Sequence, residues 1–485
     1  MDERTGDFVT AFKAFLEEVV SEHRARQDAE GQLVPVLKQH LGADPRQLPV
    51  VTEDLPPHQF VDLDIALEEI QRRAERHELV GVGGGDQRRH QSLSEILQNA
   101  GRHGQFGTAA VDYASIATGP DTSRQAVSFG LRLFTYDGAP VAVLQRSPDA
   151  RYGQPTARME VLTPVAGAAA ALIGEVGTLM LERSVLRGQV LTLGGSAYER
   201  GLGEITFHRR PSVREDDIIL PSGVLERVHR HVAGIAEHRD RLRAAGQHLK
   251  RGLLLYGPPG TGKTHTVRYL LSALPDVTVV LLAGPAIAFV AEAARMARAL
   301  QPALVVLEDC DLVAESRELH HGPQPLLFSV LETLDGLGDD ADVAFLLTTN
   351  RIGVLEPALA QRPGRVDLAV EIPLPDEASR RRLLRLYARD LPFTPAVLDR
   401  AAGRATGITA SFVKELLRRA VLIAAEAGTT PADAHLTAAL DEMLSQSEAI
   451  TRSLLGTTGR KADKVVEEVL AVVPDGVAGA DRRLG

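Results

Sequence analysis

The chain has 485 residues, in which 54 Lys and Arg stand against 64 Asp and Glu for a formal net charge of −10. This acidic balance disfavours capture of nucleic acid by bulk charge, because phosphate binding needs a clustered basic surface. Apolar residues at 44% and charged residues at 24% are typical of soluble globular proteins. The single cysteine, Cys310, excludes an internal disulfide and a multi-cysteine zinc site, and it indicates a reducing, cytoplasmic compartment.

No membrane span is expected from the hydropathy of the chain. The longest uncharged apolar stretch, residues 277–291, falls short of the ~20 residues that cross a bilayer and contains a Gly-Pro break. The N-terminus also lacks the basic-then-apolar pattern of a signal peptide.

Residues 1–90 are interpreted as an N-terminal helical region. Apolar residues recur at three- and four-residue steps over 8–19 and again over 63–74, which predicts two amphipathic helices. The second helix is followed by the glycine-rich run 81–85, which predicts a linker.

Residues 91–212 are interpreted as an α+β accessory or substrate-facing domain. Alternating apolar residues over 127–133, an Asp-Gly turn at 137–138 and an apolar run over 141–144 predict a β-hairpin. Further strands are predicted over 158–162, 189–193 and 204–208, with a helix over 166–183. The histidines and carboxylates of this region are scattered, so no catalytic site is predicted there.

A phosphate-binding loop follows the short apolar strand 252–256. It matches the G-x-x-x-x-G-K-[ST] pattern in the strand-loop-helix setting that the pattern requires. Its glycines let backbone N–H groups turn toward anionic oxygens, its lysine supplies a cation for the β- and γ-phosphates, and its threonine hydroxyl suits Mg²⁺. The loop consists of Gly257, Pro258, Pro259, Gly260, Thr261, Gly262, Lys263 and Thr264.

Polar residues follow two later apolar strands of the predicted sheet. Glu308 and Asp309 come after the strand 303–307, where Mg²⁺ and an attacking water have to be held. Asn350 comes after the strand 343–347, and its amide either orients the water or touches the γ-phosphate, or it has only a capping role.

Two arginines come further along the chain. Arg362 and Arg365 flank a Pro-Gly turn and either stabilise charge during phosphoryl transfer or form surface ion pairs.

Together these motifs resemble the AAA branch of the AAA+ ATPases over about residues 213–445. The resemblance implies an α/β fold: a P-loop NTPase parallel-sheet core over 213–375 and a helical lid over 376–447, preceded by the helical and α+β N-terminal regions. Residues 448–485 are rich in small and charged residues and are expected to form a flexible tail.

The family also implies the ligands and the assembly. ATP and Mg²⁺ are the expected cofactors, with Mg²⁺ held by Thr264 and Glu308. His265 joins the phosphate loop in nucleotide binding, and Ile218 and Ile219 resemble the segment that lines the adenine pocket. The resemblance further implies a homo-oligomeric ring, usually a hexamer, in which Arg362 and Arg365 act on the nucleotide of the neighbouring subunit.

The sequence departs from the family pattern at the acidic pair. The family usually has Asp-Glu, whereas this chain has Glu308-Asp309, an order similar to that of the mitochondrial Rieske-protein translocase branch. Whether Asp309 or Glu308 is the catalytic base stays open. Because Asp309 is one methylene shorter and misplacing a base by about 1 Å costs on the order of 100-fold in rate, slow turnover is one expectation.

Two further departures concern the client. No aromatic-apolar-Gly pore loop follows the strand 277–282, and Phe289 is interpreted as helix core, which disfavours threading by aromatic side chains. The sequence also contains no His-Glu-x-x-His motif after the lid, which excludes a metalloprotease of that type.

The leading hypothesis is therefore an ATP-hydrolysing ring that remodels or disassembles an unidentified protein client, as a chaperone does. One alternative is a nucleotide-gated scaffold that hydrolyses ATP slowly or not at all. Another is a nucleic-acid motor, which is disfavoured because neither a helix-turn-helix signature nor a zinc finger is found.

Overall fold

A computed structural model describes residues 33–103, 106–149, 153–194, 205–311, 336, 338, 340–351, 353 and 366–445. The helix predicted over 8–19, the tail beyond residue 448, and Arg362 and Arg365 lie outside the described residues. The chain divides into two compact units, Met1–Arg209 and Arg210–Gly485, close to the boundary that the sequence places after residue 212.

The first unit is built on an antiparallel sheet with helices on both faces. Its helices are α1 (Leu33–Leu41), α2 (Phe60–Arg73), α3 (Leu93–His103) and α4 (Ala168–Glu182). Its strands are β1 (Val50–Leu55), β2 (His77–Val82), β3 (Thr108–Ala109), β4 (Asp112–Ala117), β5 (Ser123–Tyr136), β6 (Ala139–Arg146) and β7 (Ala157–Leu162). The strand order is β1-β7-β6-β5-β2-β3, with β4 also paired to β5. Strands β8 (Val190–Leu193) and β9 (Ile205–His208) form an antiparallel pair.

The two long central strands supply apolar residues to both faces of this sheet. In β5, Phe129, Leu131 and Leu133 pack with α1 and α3, while Phe134 and Tyr136 pack with α2 and α4. Because side chains alternate between the faces of a strand, this pattern requires a helical layer on each side. The first unit therefore has a core on each face of one sheet.

The boundary predicted at residue 90 is wrong, and the glycine run is not a linker. Strand β2, which precedes residue 90, pairs with β5 from His77↔Phe134 to Val80↔Leu131. Gly81 lies within β2, where an added Cβ would lie 2.1 Å from the carbonyl oxygen of Ala110. Glycine is used there because two strands approach closely. The region before residue 90 is also not purely helical, since it contributes β1 and β2.

A fully buried polar network joins α2 to the central strands. Asp64 Oδ1 accepts hydrogen bonds from Arg132 Nη2 at 2.6 Å, Gln145 Nε2 at 3.1 Å and the Val127 backbone N–H at 3.1 Å. The Arg132 guanidinium also donates to Gln145 Oε1 and to Gln71 Oε1. Since buried charges are tolerated only when they are paired, these contacts fix the position of α2 on the sheet.

We expect Asp64→Ala to destabilise the first unit by about 3–5 kcal/mol, because it leaves the buried Arg132 without its counter-charge. The matched control is Asp54→Ala, which removes the Asp54–Arg158 pair, whose side chains are 47% and 31% exposed. That loss should stay below about 1 kcal/mol. Thermal melts and hydrogen exchange of peptides covering residues 123–146 measure both. Equal effects of the two substitutions would contradict a structural role for the buried network.

The second unit is built on a parallel sheet. Its strands are β10 (Arg251–Tyr256), β11 (Thr278–Ala283), β12 (Ala303–Glu308), β13 (Val343–Thr349) and β14 (Leu368–Glu371), in the order β14-β10-β13-β12-β11. Its helices begin with α5 (Val224–His229), a π-helical turn at Arg230–Gly234, α6 (Ile235–Glu237) and α7 (Arg239–Ala244). Helix α8 (Lys263–Ala273) follows β10, and α9 (Val290–Ala299) follows β11. The near-continuous burial of the central strands is typical of a sheet covered on both faces.

The second unit ends in a helical lid with its own apolar core. The lid comprises α10 (Glu377–Tyr387), α11 (Pro395–Arg404), α12 (Ala410–Glu426) and α13 (Asp433–Leu444). Its buried residues include Leu384, Phe412, Leu416 and Leu440. The predicted α/β fold with a parallel-sheet core and a helical lid is thus confirmed. Among the helices of the described residues, none has the length and apolar character needed to cross a membrane.

Candidate nucleotide site

The phosphate loop connects β10 to α8 and depends on glycine at two close approaches. Gly257 has φ +146°, and an added Cβ there would lie 2.2 Å from the carbonyl oxygen of Ile372. Gly260 has φ +75°, and an added Cβ would lie 3.0 Å from Ser411 Oγ. The remaining loop residues, Pro258, Pro259, Thr261 and Gly262, lead directly into α8, which begins at Lys263. The loop therefore has a helix N-terminus beside it, which favours anions.

Lys263 is the buried cation of this loop. Its Nζ donates to the carbonyl oxygens of Gly257 at 2.8 Å and Pro258 at 2.9 Å. Burial lowers the pKa of Lys263 to about 8, and the negative charges of Asp309 and Asp311 oppose that shift. Phosphate oxygens are acceptors of the same kind as these carbonyls, so a nucleotide can take over the ammonium hydrogen bonds.

Asp309 and Asn350 meet where β12 and β13 end. Asn350 Nδ2 donates to Asp309 Oδ1 at 3.3 Å, and the Asp309 backbone N–H donates to Thr348 Oγ1 at 3.0 Å. Asp309 has φ +51°, a left-handed conformation that is uncommon outside glycine but is most readily adopted by Asn and Asp. The carboxylate of Asp309 is thus held toward the neighbouring strand.

Glu308 is the last residue of β12 and is half-buried. Burial raises the pKa of its carboxyl group, the charge of Asp309 raises it further, and Arg268 opposes the shift. A cation bound beside this pair would lower the pKa of Glu308, because it offsets the repulsion between the two carboxylates.

The residues predicted to hold Mg²⁺ fit an ion that is shared with phosphate. Thr264 is exposed on the first turn of α8, which follows the phosphate loop. Glu308 is the last residue of β12, in the parallel sheet that also contains β10. Within the described ranges no group of three or more His, Cys, Asp or Glu could form a metal cage. Mg²⁺ commonly keeps several waters and uses one or two protein oxygens plus phosphates, which suits this donor set.

The lid touches the phosphate loop directly. Thr409 caps α12 by accepting a hydrogen bond from the Phe412 N–H at 3.2 Å, and in the same first turn the Ser411 N–H donates to the Gly260 carbonyl oxygen at 3.3 Å. The contact means that movement of the lid bears on the loop.

The predicted adenine segment follows Asp217, whose backbone contacts His265 of α8. Ile218 is buried, and Ile219 packs against the apolar core of the lid. Burial lowers the pKa of His265, and a hydrogen bond with the Asp217 backbone opposes that shift. The structure therefore brings Ile218, Ile219 and His265 toward the beginning of α8.

One residue that sequence reasoning left unassigned lies at this edge of the sheet. Asp311 is buried and accepts hydrogen bonds from the Thr349 hydroxyl at 3.0 Å and the Asn350 backbone N–H at 3.2 Å. The acidic run after β12 was the available signal, but spacing alone does not reveal which carboxylate faces which strand.

Comparison with known proteins finds a family match within the second unit. Residues 253–374 match the family described as "ATPase family associated with various cellular activities (AAA)". The chain is 32% identical over 324 residues to the ATP-dependent zinc metalloprotease FtsH 3 of Sphaerobacter thermophilus, covering 63% of this chain and 64% of that relative. It is 34% identical over 269 residues to FtsH 2 of the same organism, covering 52% and 40%. For FtsH of Mycobacterium tuberculosis H37Rv the identity is 32% over 223 residues, covering 43% and 29%.

The chain thus spans less than two thirds of the length of these relatives. The matched segment contains the phosphate loop, the acidic pair and Asn350. The second unit has the fold of an AAA+ ATPase domain, which binds ATP with Mg²⁺ and hydrolyses it.

The pKa of Lys263 predicts how nucleotide binding depends on pH. The ammonium is charged below a pH of about 8 and loses its proton above it, so ATP affinity should fall as pH rises from 7.5 to 9.5. The fall should approach about tenfold per pH unit, because only the protonated form offers a cation to the phosphates. Titration with a fluorescent ATP analogue at each pH measures it. Lys263→Met should bind weakly throughout and show no such fall, whereas constant affinity in the unmodified chain would contradict the role of this lysine.

Proposed function

We propose that this protein is an ATP-driven ring that remodels or disassembles a protein client. The proposal is supported by one observation: the phosphate loop, the acidic pair, Asn350 and the lid contact lie together at one edge of the sheet. A lid that touches the phosphate loop converts a change of bound nucleotide into movement. The first unit has separate apolar cores and its own sheet, so in the proposal it selects the client. The client itself is identified only as a protein.

In this proposal Asp309 is the catalytic base and Glu308 the residue that assists Mg²⁺. The hydrogen bond from Asn350 orients the Asp309 carboxylate, and a positioned base contributes about 10²–10⁴-fold to a rate. Asn350 in turn helps to place the water, Thr264 and Glu308 hold the ion, and Lys263 binds the β- and γ-phosphates.

The ring, with six subunits in the proposal, completes each site with a neighbour. Arg362 and Arg365 are proposed to reach the nucleotide of the next subunit, where an arginine stabilises charge as the γ-phosphoryl group leaves. Their spacing around a Pro-Gly turn and their place in the order of motifs support this assignment.

The Glu308-Asp309 order supports the likeness to the mitochondrial Rieske-protein translocase branch. The relatives named above are zinc metalloproteases, but this sequence contains no His-Glu-x-x-His motif. We therefore propose remodelling rather than zinc-dependent proteolysis for these 485 residues. Threading by an aromatic pore loop is not part of the proposal: Phe289, which was interpreted as helix core, is half-buried and stands just before α9.

Substitution of each acidic residue separates their roles. Asp309→Asn should retain ATP binding and lower kcat by at least about 100-fold, because the amide cannot accept a proton from water. Asparagine also tolerates the left-handed backbone at this position, so the fold should be unchanged. Glu308→Gln should mainly raise the Mg²⁺ concentration needed for half-maximal activity.

The measurements are steady-state ATPase assays with Mg²⁺ titrations and nucleotide binding for both variants. If Glu308→Gln alone traps bound ATP while Asp309→Asn still turns over, then the base has been assigned to the wrong residue.

The function is tested by the ATPase rate of the full chain together with its mass in ATP and Mg²⁺. We expect a ring-sized species whose rate rises with an added protein client and not with DNA or RNA. Stimulation by nucleic acid would favour a motor acting on it, and a ring that binds ATP with negligible turnover would favour the gated scaffold.

Mixed rings provide the control for shared sites. Arg365→Ala should lower hydrolysis by a factor on the order of 10³ while leaving ATP binding intact. Doping unmodified rings with it should depress activity, whereas Arg381→Ala, which removes an exposed pair with Glu377 on α10, should have no effect.

A further inference from the structure

The carboxylate of Asp311 is the point at which the ends of β12 and β13 are tied together. Its Oδ1 accepts two hydrogen bonds, from the Thr349 hydroxyl at 3.0 Å and from the Asn350 backbone N–H at 3.2 Å. Asp311 is 4% exposed, and Thr349 is fully buried. Because one buried oxygen accepts both hydrogen bonds, this contact fixes the backbone at Asn350.

Asn350 connects this contact to Asp309, the proposed base. Asn350 carries the amide that donates to Asp309 Oδ1 at 3.3 Å. The Asp309 backbone is held independently, because its N–H donates to Thr348 Oγ1 at 3.0 Å. The Asp309 side chain is therefore positioned from the neighbouring strand rather than by its own strand.

The Thr349 hydroxyl has a second role in this arrangement. It donates to Asp311 and at the same time accepts a hydrogen bond from the Arg351 backbone N–H at 3.0 Å. The residues on both sides of Asn350 are thereby fixed by one side chain. A loose Asn350 could not hold the Asp309 carboxylate within the fraction of an ångström that catalysis requires.

We propose that Asp311 is a positioning residue for ATP hydrolysis, which acts through Asn350 to set the Asp309 carboxylate. Asp311 itself touches neither the nucleotide nor the attacking water in this proposal. The inference rests on the proposed assignment of Asp309 as base and of Asn350 as the residue that orients it.

The decisive comparison is between two substitutions of Asp311 in the full chain. Asp311→Asn keeps an oxygen that accepts both hydrogen bonds, so kcat should stay within about threefold of the unmodified value. Asp311→Ala removes the acceptor and should lower kcat by about 10- to 100-fold. The Kd for ATP, measured at pH 7, should be the same in the two variants, because both remove the same charge near Lys263 and neither alters the phosphate loop. Equal losses in both variants would overturn the proposal, since they would mean that the charge of Asp311 matters and its hydrogen bonds do not.

A double substitution shows whether Asp311 acts through Asn350. The variant D311A/N350A should be no slower than N350A alone, because residues that act as a unit do not add. Multiplying losses would mean that Asp311 acts by another route, and would overturn the proposal. Thr349→Val removes the hydroxyl donor while leaving Asp311 in place, so it should lower kcat without changing ATP affinity even if Asp311→Ala fails to fold.

The matched control is Asp342, a buried aspartate just before β13, at the opposite end of that strand. It is 2% exposed and pairs with Arg251 Nη1 at 2.8 Å. Asp342→Asn should lower the melting temperature while kcat stays within about twofold. A loss of kcat in Asp342→Asn as large as in Asp311→Ala would attribute both to general destabilisation of the sheet.

These experiments also separate this proposal from the assignment on which it rests. If N350A lowers kcat and Asp311→Ala does not, only the positioning role of Asp311 fails. If N350A itself hydrolyses ATP normally, the role of Asn350 fails and the proposal for Asp311 fails with it.

Discussion

The chemistry of the second unit depends on the in-register parallel pairing of three strands. Tyr256 at the end of β10 pairs with Thr349 of β13, and Leu347 of β13 pairs with Leu307 of β12. Parallel strands that start in register also end at one edge, so the residue after each strand emerges there. The phosphate loop, Asp309 and Asn350 come from stretches separated by about 40 residues or more, and this pairing alone brings them to one site. A shift by one residue in any of the three strands would turn these side chains to the wrong face.

The conformation of Asp309 gives a physical reason for the unusual acidic pair. A left-handed residue other than glycine is most often Asn or Asp, since a short polar side chain tolerates this backbone. A longer glutamate at the same φ of +51° would carry more strain, whereas aspartate is accommodated and is oriented from β13. The reversed order is thus compatible with a working site, provided that the neighbouring strand compensates for the missing methylene. The left-handed turn also directs the chain away from β12, so that the buried Asp311 returns to the end of β13.

The sequence was most informative where a structure is determined locally. The phosphate loop needs glycines at fixed offsets, and the apolar runs before Gly257, Glu308 and Asn350 are too uniformly apolar for surface strands. These features predicted the parallel sheet, the loop and the edge that carries the polar residues. The hairpin of β5 and β6 was predicted for the same reason, because the turn at Asp137-Gly138 and the alternation beside it are local signals.

The failures lie where distant segments pair. Nothing near Gly81 in the sequence shows that Ala110 lies within 2.1 Å of the position a Cβ would occupy, so a strand end resembled a linker. The position of α2 on the sheet could not be predicted either. The partners of Asp64 are Val127, Arg132 and Gln145, which lie more than 60 residues further along the sequence. Asp311 was overlooked for a similar reason: only the geometry of β13 distinguishes it from a solvated carboxylate.

The two buried charge clusters show what separates a structural network from a reactive site. In the first unit each hydrogen bond from Arg132 goes to a buried side chain. Arg132 can exchange these partners for water only if the unit unfolds. In the second unit Lys263 donates to loop carbonyls, Thr264 is exposed, and Glu308 and Asp309 are half-buried. These groups can exchange their present partners for phosphate, metal or water without disturbing the core. The hydrogen bonds of the Asp64 network therefore hold α2 on the sheet, whereas the polar groups of the ATP site remain available to bind a ligand.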